Sequence, residues 1–125
     1  MKSIRIALAL SLLLAVAAVP AIASSSNIHT MAGILLHLNH FPSDSEKATL
    51  GAIEADAKAS AAEKVLAHAM INLKHKVAAS DAAALHELLT NPAAGNNERT
   101  LANILLSLAH HPSEQDKKKL QAMRE

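Results

Sequence analysis

The sequence predicts an all-α protein: three helical hairpins of about 35 residues each, six short helices in total, packed as a compact helical-repeat array or bundle after an N-terminal signal peptide. Three observations support this prediction. The composition favours helices, because the 125 residues include only three Gly and four Pro and are rich in Ala, Leu and Lys. The apolar residues recur at helical spacing. The sequence also matches itself when it is shifted by 35 residues.

The composition excludes several classes of protein. Because the chain has no Cys, it has no disulfide framework, no cysteine-ligated metal site and no thiol nucleophile. The formal net charge of +1 argues against a protein that grips nucleic acid through its phosphates. With one Phe, no Trp and no Tyr, the chain also lacks the aromatic platform on which single-stranded bases stack.

The first 23 residues have the pattern of a cleaved signal peptide. Lys2 and Arg5 form a short positive region, and residues 6–19 are almost wholly apolar. This run is shorter than the roughly 20 residues that a membrane-spanning helix needs. Pro20 ends the run, and small residues up to Ala23 provide a cleavage site. We therefore expect cleavage after Ala23, and a periplasmic or secreted protein with no stable membrane insertion.

Residues 24–125 are expected to form a single all-helical domain. Removal of the two basic residues of the signal peptide leaves ten basic and eleven acidic residues, so the charge implies no strongly basic or acidic partner. The repeat units span approximately residues 26–60, 61–95 and 96–125.

The repeat is visible at apolar, acidic and histidine positions. An acidic residue occupies the same place in each unit, at Glu46, Asp81 and Asp116. Similarity between Ala-rich helices does not by itself explain a histidine that recurs in register three times. The identical positions are Ala32, Ala67 and Ala102; Leu38, Leu73 and Leu108; His40, His75 and His110, here called the repeated histidines; and Leu50, Leu85 and Leu120.

Each unit is predicted to contain two helices joined by a tight turn. In the first unit Ile28, Met31 and Leu35 lie on one apolar stripe, and the helix cannot continue through Pro42. Helices of this length are marginal alone, so packing between the units must stabilise them. The predicted helices span about residues 28–40, 44–57, 61–76, 80–90, 97–110 and 114–124.

Serine residues mark the predicted starts of the second helices. Ser43 is expected to be an N-cap, with Glu46 completing a capping box. Ser113 and Asp116 repeat this pattern in the third unit, and Ser80 is the candidate cap in the second.

The connections between the units differ from each other. Residues 91–97 contain Pro, Gly and three Asn and form the clearest helix breaker, whereas residues 57–61 are compatible with a continuous helix. The period and the helix–turn–helix unit resemble those of tetratricopeptide repeats. The Trp, Tyr and Phe positions of that pattern are absent, so the resemblance does not extend to its peptide-binding groove.

Histidine provides the strongest chemical signal. Without Cys, imidazole and carboxylate groups are the available metal ligands, a set that suits Cu(II), Ni(II) or Zn(II). The candidate ligands are His37, His40, His75, His110 and His111. Three of them are the repeated histidines, and His37 and His111 are included because they lie beside the predicted hairpin turns. Hairpin stacking would place the repeated histidines about 8–10 Å apart, so one ion would bind them only if the array closed up. The eight histidines are His29, His37, His40, His68, His75, His86, His110 and His111.

A structural role for the repeated histidines is the competing interpretation. Each is predicted to lie at the C-terminal end of a helix, where imidazole interacts favourably with free carbonyl groups. An acid follows six residues later in each unit. In this clasp hypothesis the pairs His40–Glu46, His75–Asp81 and His110–Asp116 fasten the hairpin turns.

The sequence predicts no enzyme. We find no HExxH motif, Gly-rich phosphate loop, nucleophile elbow or spacing typical of a catalytic triad. The basic residues 117–119 share a short helix with acids, which indicates a solvated face.

The leading functional hypothesis is an exported, periplasmic helical-repeat protein that acts as a binding or scaffold protein without catalysis. The expected partner is an unknown protein or small ligand, or a second copy of the chain, and not a nucleic acid. This hypothesis requires no cofactor. The alternative is a periplasmic protein that binds divalent metal, Cu, Ni or Zn, through its histidines. A third hypothesis is a pH-responsive protein, since imidazoles titrate near neutral pH.

Overall fold

The computed structural model describes residues 25–125, and this part of the chain is all-helical. Residues 25–125 fold into six α-helices without a strand. This confirms the all-α fold class that the sequence predicts. The predicted signal peptide, residues 1–23, lies outside the described residues. The helices are α1 (Ser26–Leu36), α2 (Asp44–Ala55), α3 (Ala61–Ile71), α4 (Ala79–Thr90), α5 (Asn96–Ser107) and α6 (Glu114–Ala122).

Three helices end three to five residues earlier than the sequence pattern predicted, and α2 and α6 end two residues earlier. α1 ends at Leu36, α3 at Ile71 and α5 at Ser107, whereas the predicted ends were residues 40, 76 and 110. The reason is tertiary packing. In each unit the chain leaves the helix, buries a leucine two residues before the repeated histidine and then turns. The buried leucines are Leu38, Leu73 and Leu108, with exposed fractions of 6%, 1% and 5%.

The N-caps of the second helices agree with the sequence in two units. Ser43 and Glu46 form the predicted capping box, in which each side chain accepts a hydrogen bond from the other residue's backbone N–H. Ser113 likewise accepts from the N–H of Asp116. The prediction for Ser80 is wrong, because α4 begins at Ala79 without a side-chain cap.

The connection before α3 was also less well predicted than the linker before α5. Residues 56–60 are not helical, and Ser60 caps α3 by accepting from the N–H of Glu63. The breaker at residues 91–97 corresponds to the break between α4, which ends at Thr90, and α5, which begins at Asn96.

The packing of the helices places α1, α3 and α5 in contact with one another. The remaining helices lie against them: α2 packs mainly on α3, α4 on α3 and α5, and α6 mainly on α1. Ala32, Ala67 and Ala102 are each 0% exposed, and their small side chains allow the helix backbones to approach closely. The contact between α6 and α1 brings the end of the chain back to the first described helix.

The core is continuous and is built from aliphatic and methionine side chains. Leu35, Met70 and Leu105, which the 35-residue shift aligns, are each 0% exposed. Phe41 is the one large hydrophobic side chain found exposed among residues 25–125, at 56%. None of the helices in this range has the length and apolar character that crossing a bilayer requires.

Candidate metal centre

The repeated histidines share an unusual backbone conformation. Their φ angles are 75° at His40, 66° at His75 and 66° at His110, and no other non-glycine residue in the described range has a positive φ. Each lies at the tip of a tight turn whose flanking residues pair with each other, as Asn39 pairs with Phe41. A left-handed conformation costs an L-residue roughly 1–2 kcal/mol. Tertiary interactions must therefore hold all three turns.

A ring of backbone hydrogen bonds supplies these interactions. The N–H of His40 donates to the carbonyl of His110 (3.0 Å), that of His75 to His40 (3.0 Å) and that of His110 to His75 (2.8 Å). Each repeated histidine thus donates one hydrogen bond and accepts one, and the third donation closes the circle. The ring joins three turns that are far apart in sequence.

The three side chains converge as the backbone does. The Nδ1 atoms of His40 and His75 are 3.2 Å apart, those of His40 and His110 are 3.2 Å apart, and those of His75 and His110 are 3.0 Å apart. The imidazole rings meet edge to face, with centroids 4.9–5.2 Å apart. The three histidines lie at the protein surface. The side chains therefore form a nearly equilateral triangle of nitrogen atoms.

Hydrogen bonding between the imidazoles cannot satisfy this triangle. A neutral imidazole presents at Nδ1 either an N–H donor or a lone-pair acceptor. Among three Nδ1 atoms, at least two must be of the same kind, so at least one of the three close pairs is donor against donor or acceptor against acceptor. A cation resolves this conflict, because three lone pairs that point to one position can all bind it.

The dimensions of the triangle fit a transition-metal ion. With sides of 3.0–3.2 Å, each Nδ1 lies about 1.8 Å from the centre of the triangle. An ion with metal–nitrogen bonds of about 2.1 Å would then lie about 1 Å out of the plane, with N–metal–N angles of about 95°. These angles correspond to three ligands on one face of an octahedron, and spreading the nitrogens by a few tenths of an ångström would give a tetrahedral arrangement.

The triangle lies where the turns leave the core. The chain enters each turn from a leucine that is buried in the core. The histidines themselves lie at the surface. The solvent side is therefore where an ion would meet water or another ligand.

Two other predicted ligands lie outside the converging group. Among residues 25–125, the group found with three or more ligand atoms all within 4.8 Å of one another consists of the repeated histidines. His37 is the C-cap of α1 and is exposed beside α6. The Nδ1 atom of His111 is 3.1 Å from the carbonyl oxygen of Pro112. The structure thus brings together three of the five candidate ligands.

The clasp hypothesis is wrong for this structure, because the imidazoles turn toward each other and the acids have other partners. Glu46 accepts from the N–H of Ser43. Asp81 accepts from the side chain of Asn72 at 3.1 Å. In the third unit Asp116 lies 3.6 Å from the ammonium group of Lys119. The acids are close to the repeated histidines in sequence, but their carboxylates do not pair with the imidazoles.

The expected separation of the repeated histidines was also wrong. Linear stacking of hairpins predicted about 8–10 Å, and the Nδ1 atoms are 3.0–3.2 Å apart. The difference arises because the turns meet at one point instead of following one another along a stack. The available signal was the register itself, since three identical ligands at equal spacing suit a common centre.

A second polar cluster was missed by sequence reasoning. The Nδ1 atom of His68 is 2.8 Å from a carboxylate oxygen of Glu54, and its Nε2 atom is 3.7 Å from one of Asp81. Because the two acids face opposite nitrogens of the ring, they do not form a common metal site with it. This cluster links α2, α3 and α4. No local motif predicts it, since the acids lie on different helices.

Comparison of the chain with protein-family models, with curated proteins and with solved structures finds no match.

Proposed function

We propose that the protein binds one divalent transition-metal ion through the Nδ1 atoms of the repeated histidines. The observation that supports this proposal is the triangle of Nδ1 atoms with sides of 3.0–3.2 Å on three surface histidines. Its size matches a metal ion, and its hydrogen bonding is incomplete without one. This convergence ranks the metal-binding hypothesis above the scaffold hypothesis.

The ligand chemistry favours Cu(II), followed by Ni(II) and Zn(II). Imidazole suits all three ions, and the affinity of nitrogen ligands for divalent metals generally peaks at copper. The site offers three neutral ligands, so a bound divalent ion keeps its full charge. It also keeps open coordination positions on its solvent side. Structural zinc sites are closed by four protein ligands, so an exposed site of three ligands leaves a position at which the ion can exchange.

The proposal includes an arrangement for the helices. We infer that three repeat units surround an approximate threefold axis through the repeated histidines. Contacts between units recur at the repeat spacing: Ser25 donates to Glu63, and Ser60 donates to Glu98. The contact of α6 with α1 then corresponds to those of α2 with α3 and of α4 with α5.

We also propose that the protein acts outside the cytoplasm. The support is the signal-peptide pattern of residues 1–23. Together with the histidine site, it indicates a periplasmic or secreted metal buffer or carrier without catalytic activity. Binding of a protein partner by the helical surface remains a separate proposal, which metal binding neither requires nor excludes.

Thermal unfolding in the presence of metal tests the function. The protein is first treated with chelator and then melted alone and with Cu(II), Ni(II) or Zn(II). An ion at 100 times its Kd that binds only the folded state adds about 2.7 kcal/mol of stability. For a domain of this size we expect the melting temperature to rise by roughly 10 °C or more.

A triple variant identifies the ligands. His40→Asn, His75→Asn and His110→Asn together remove the imidazoles, and Asn tolerates the left-handed backbone better than most residues. This variant should fold but show no metal-dependent shift. The control, His29→Asn with His86→Asn, removes exposed helical histidines and should keep the shift. A wild-type melt that no metal changes, with no binding by calorimetry, would refute the proposed function.

A further inference from the structure

The solvent side of the proposed metal site carries an additional feature, and the inference drawn from it rests on the proposed function. The chain neighbours of the ligands do not follow the repeat, although the ligands themselves do. An ion held by three identical imidazoles does not require different neighbours. A ligand that approaches the ion from solvent would contact them. The neighbours are Asn39 and Phe41, Lys74 and Lys76, and Ala109 and His111.

Among these six neighbours, positive charge is concentrated in the second unit. Lys74 and Lys76 flank His75, both are exposed, and neither has a carboxylate partner among residues 25–125. In the first unit, by contrast, the ammonium group of Lys47 lies 5.8 Å from the centre of the Phe41 ring. The second unit therefore contributes two free cations next to a metal ligand.

The acids of the neighbouring helices do not neutralise these lysines. In the second unit, Asp81 is buried, and its carboxylate accepts from Asn72 and lies near His68. The carboxylate of Glu46 is engaged in the capping box of α2. Among residues 25–125, Lys74 and Lys76 are therefore cations beside His75 that no carboxylate pairs with.

We propose that the metal-loaded protein binds a small carboxylate anion as an additional ligand of the ion, and that Lys74 and Lys76 strengthen this binding by their charge. A carboxylate oxygen is a suitable donor for an ion that keeps open positions. The metal carries two positive charges that three neutral imidazoles leave uncompensated. An anion reduces this charge where a neutral donor does not.

Acetate titration of the Cu(II)-loaded protein at low ionic strength tests the proposal. Acetate should shift the visible absorption of the bound Cu(II). In the double variant Lys74→Ala, Lys76→Ala, its affinity should fall several-fold, because two positive charges near the anion are removed. The affinity for Cu(II) should stay equal or rise, because two nearby positive charges are removed. Structural damage would lower both affinities.

Two comparisons isolate the charge effect. Imidazole, a neutral donor, should bind the wild type and the double variant equally. Lys58→Ala with Lys64→Ala removes two lysines near the other end of α3 and should leave acetate affinity unchanged. If Cu(II) binds but acetate does not, or if acetate binds both lysine variants as it binds the wild type, this inference is overturned and the metal site stands. If Cu(II) does not bind at all, both proposals fail.

Discussion

The left-handed backbone at the repeated histidines predicts a reversal in the usual ranking of alanine and glycine. We consider His75→Ala and His75→Gly, measured in chelator so that metal plays no part. Both variants lose the imidazole, and they differ only in the Cβ atom. At φ = 66° an alanine is strained and a glycine is not.

The magnitude follows from two opposing terms. The left-handed conformation costs alanine roughly 1–2 kcal/mol in the folded state. Glycine loses more conformational freedom on folding, which costs it about 0.4–1 kcal/mol relative to alanine. We therefore expect His75→Gly to be more stable than His75→Ala by about 0.5–1 kcal/mol. For a domain of this size, that difference corresponds to roughly 3–6 °C in melting temperature.

Chemical denaturation followed by circular dichroism measures this difference, and His86 provides the matched control. His86 is exposed within α4, where the backbone is helical. There glycine should be less stable than alanine by about 1 kcal/mol. The two positions should therefore give opposite signs. If alanine is the more stable residue at both, the left-handed turn at His75 is refuted, and with it the geometry of the metal centre.

The remaining predictions concern the helices. Ser43→Ala should lower the free energy of unfolding by about 1 kcal/mol in urea denaturation, because it removes the side-chain half of the capping box of α2; no loss would argue against that cap. Leu105→Ala, at a position that is 0% exposed, should lower it by about 2–5 kcal/mol in the same assay, and a loss below 1 kcal/mol would contradict its burial. Hydrogen bonding and charge from Lys117 hold the pKa of Glu114 below its ordinary value. Lys117→Ala should therefore raise that pKa, as NMR titration would show; an unchanged pKa would contradict the contact.

The sequence predicted most of the local structure. The capping box at Ser43 and Glu46 was predicted because its residues are close in sequence and use the backbone between them. The apolar stripe of α1 was predicted for the same reason. The early end of α1 at Leu36 was not, because it depends on burying Leu38 against other helices. Propensity within a window of a few residues contains no information about that burial.

The candidate site was predicted in its residues but not in its geometry. His40, His75 and His110 were identified by their register, yet the sequence could not distinguish a common centre from three separate turns. The ring of backbone hydrogen bonds decides between them, and each of its bonds joins a different pair of units. The acids six residues downstream favoured the clasp hypothesis only because nearby residues are the easiest partners to propose.

Because of the backbone ring, metal binding at the proposed site requires all three turns to be present in one folded molecule. Its three members are separated by 35 and 70 positions, so the first and last lie near opposite ends of the described chain. A chain that is truncated during synthesis before residue 110 carries only two of the ligands. A protein cut in a connecting loop keeps all three only while its fragments stay associated. Tight metal binding would therefore distinguish intact, fully folded molecules from incomplete ones.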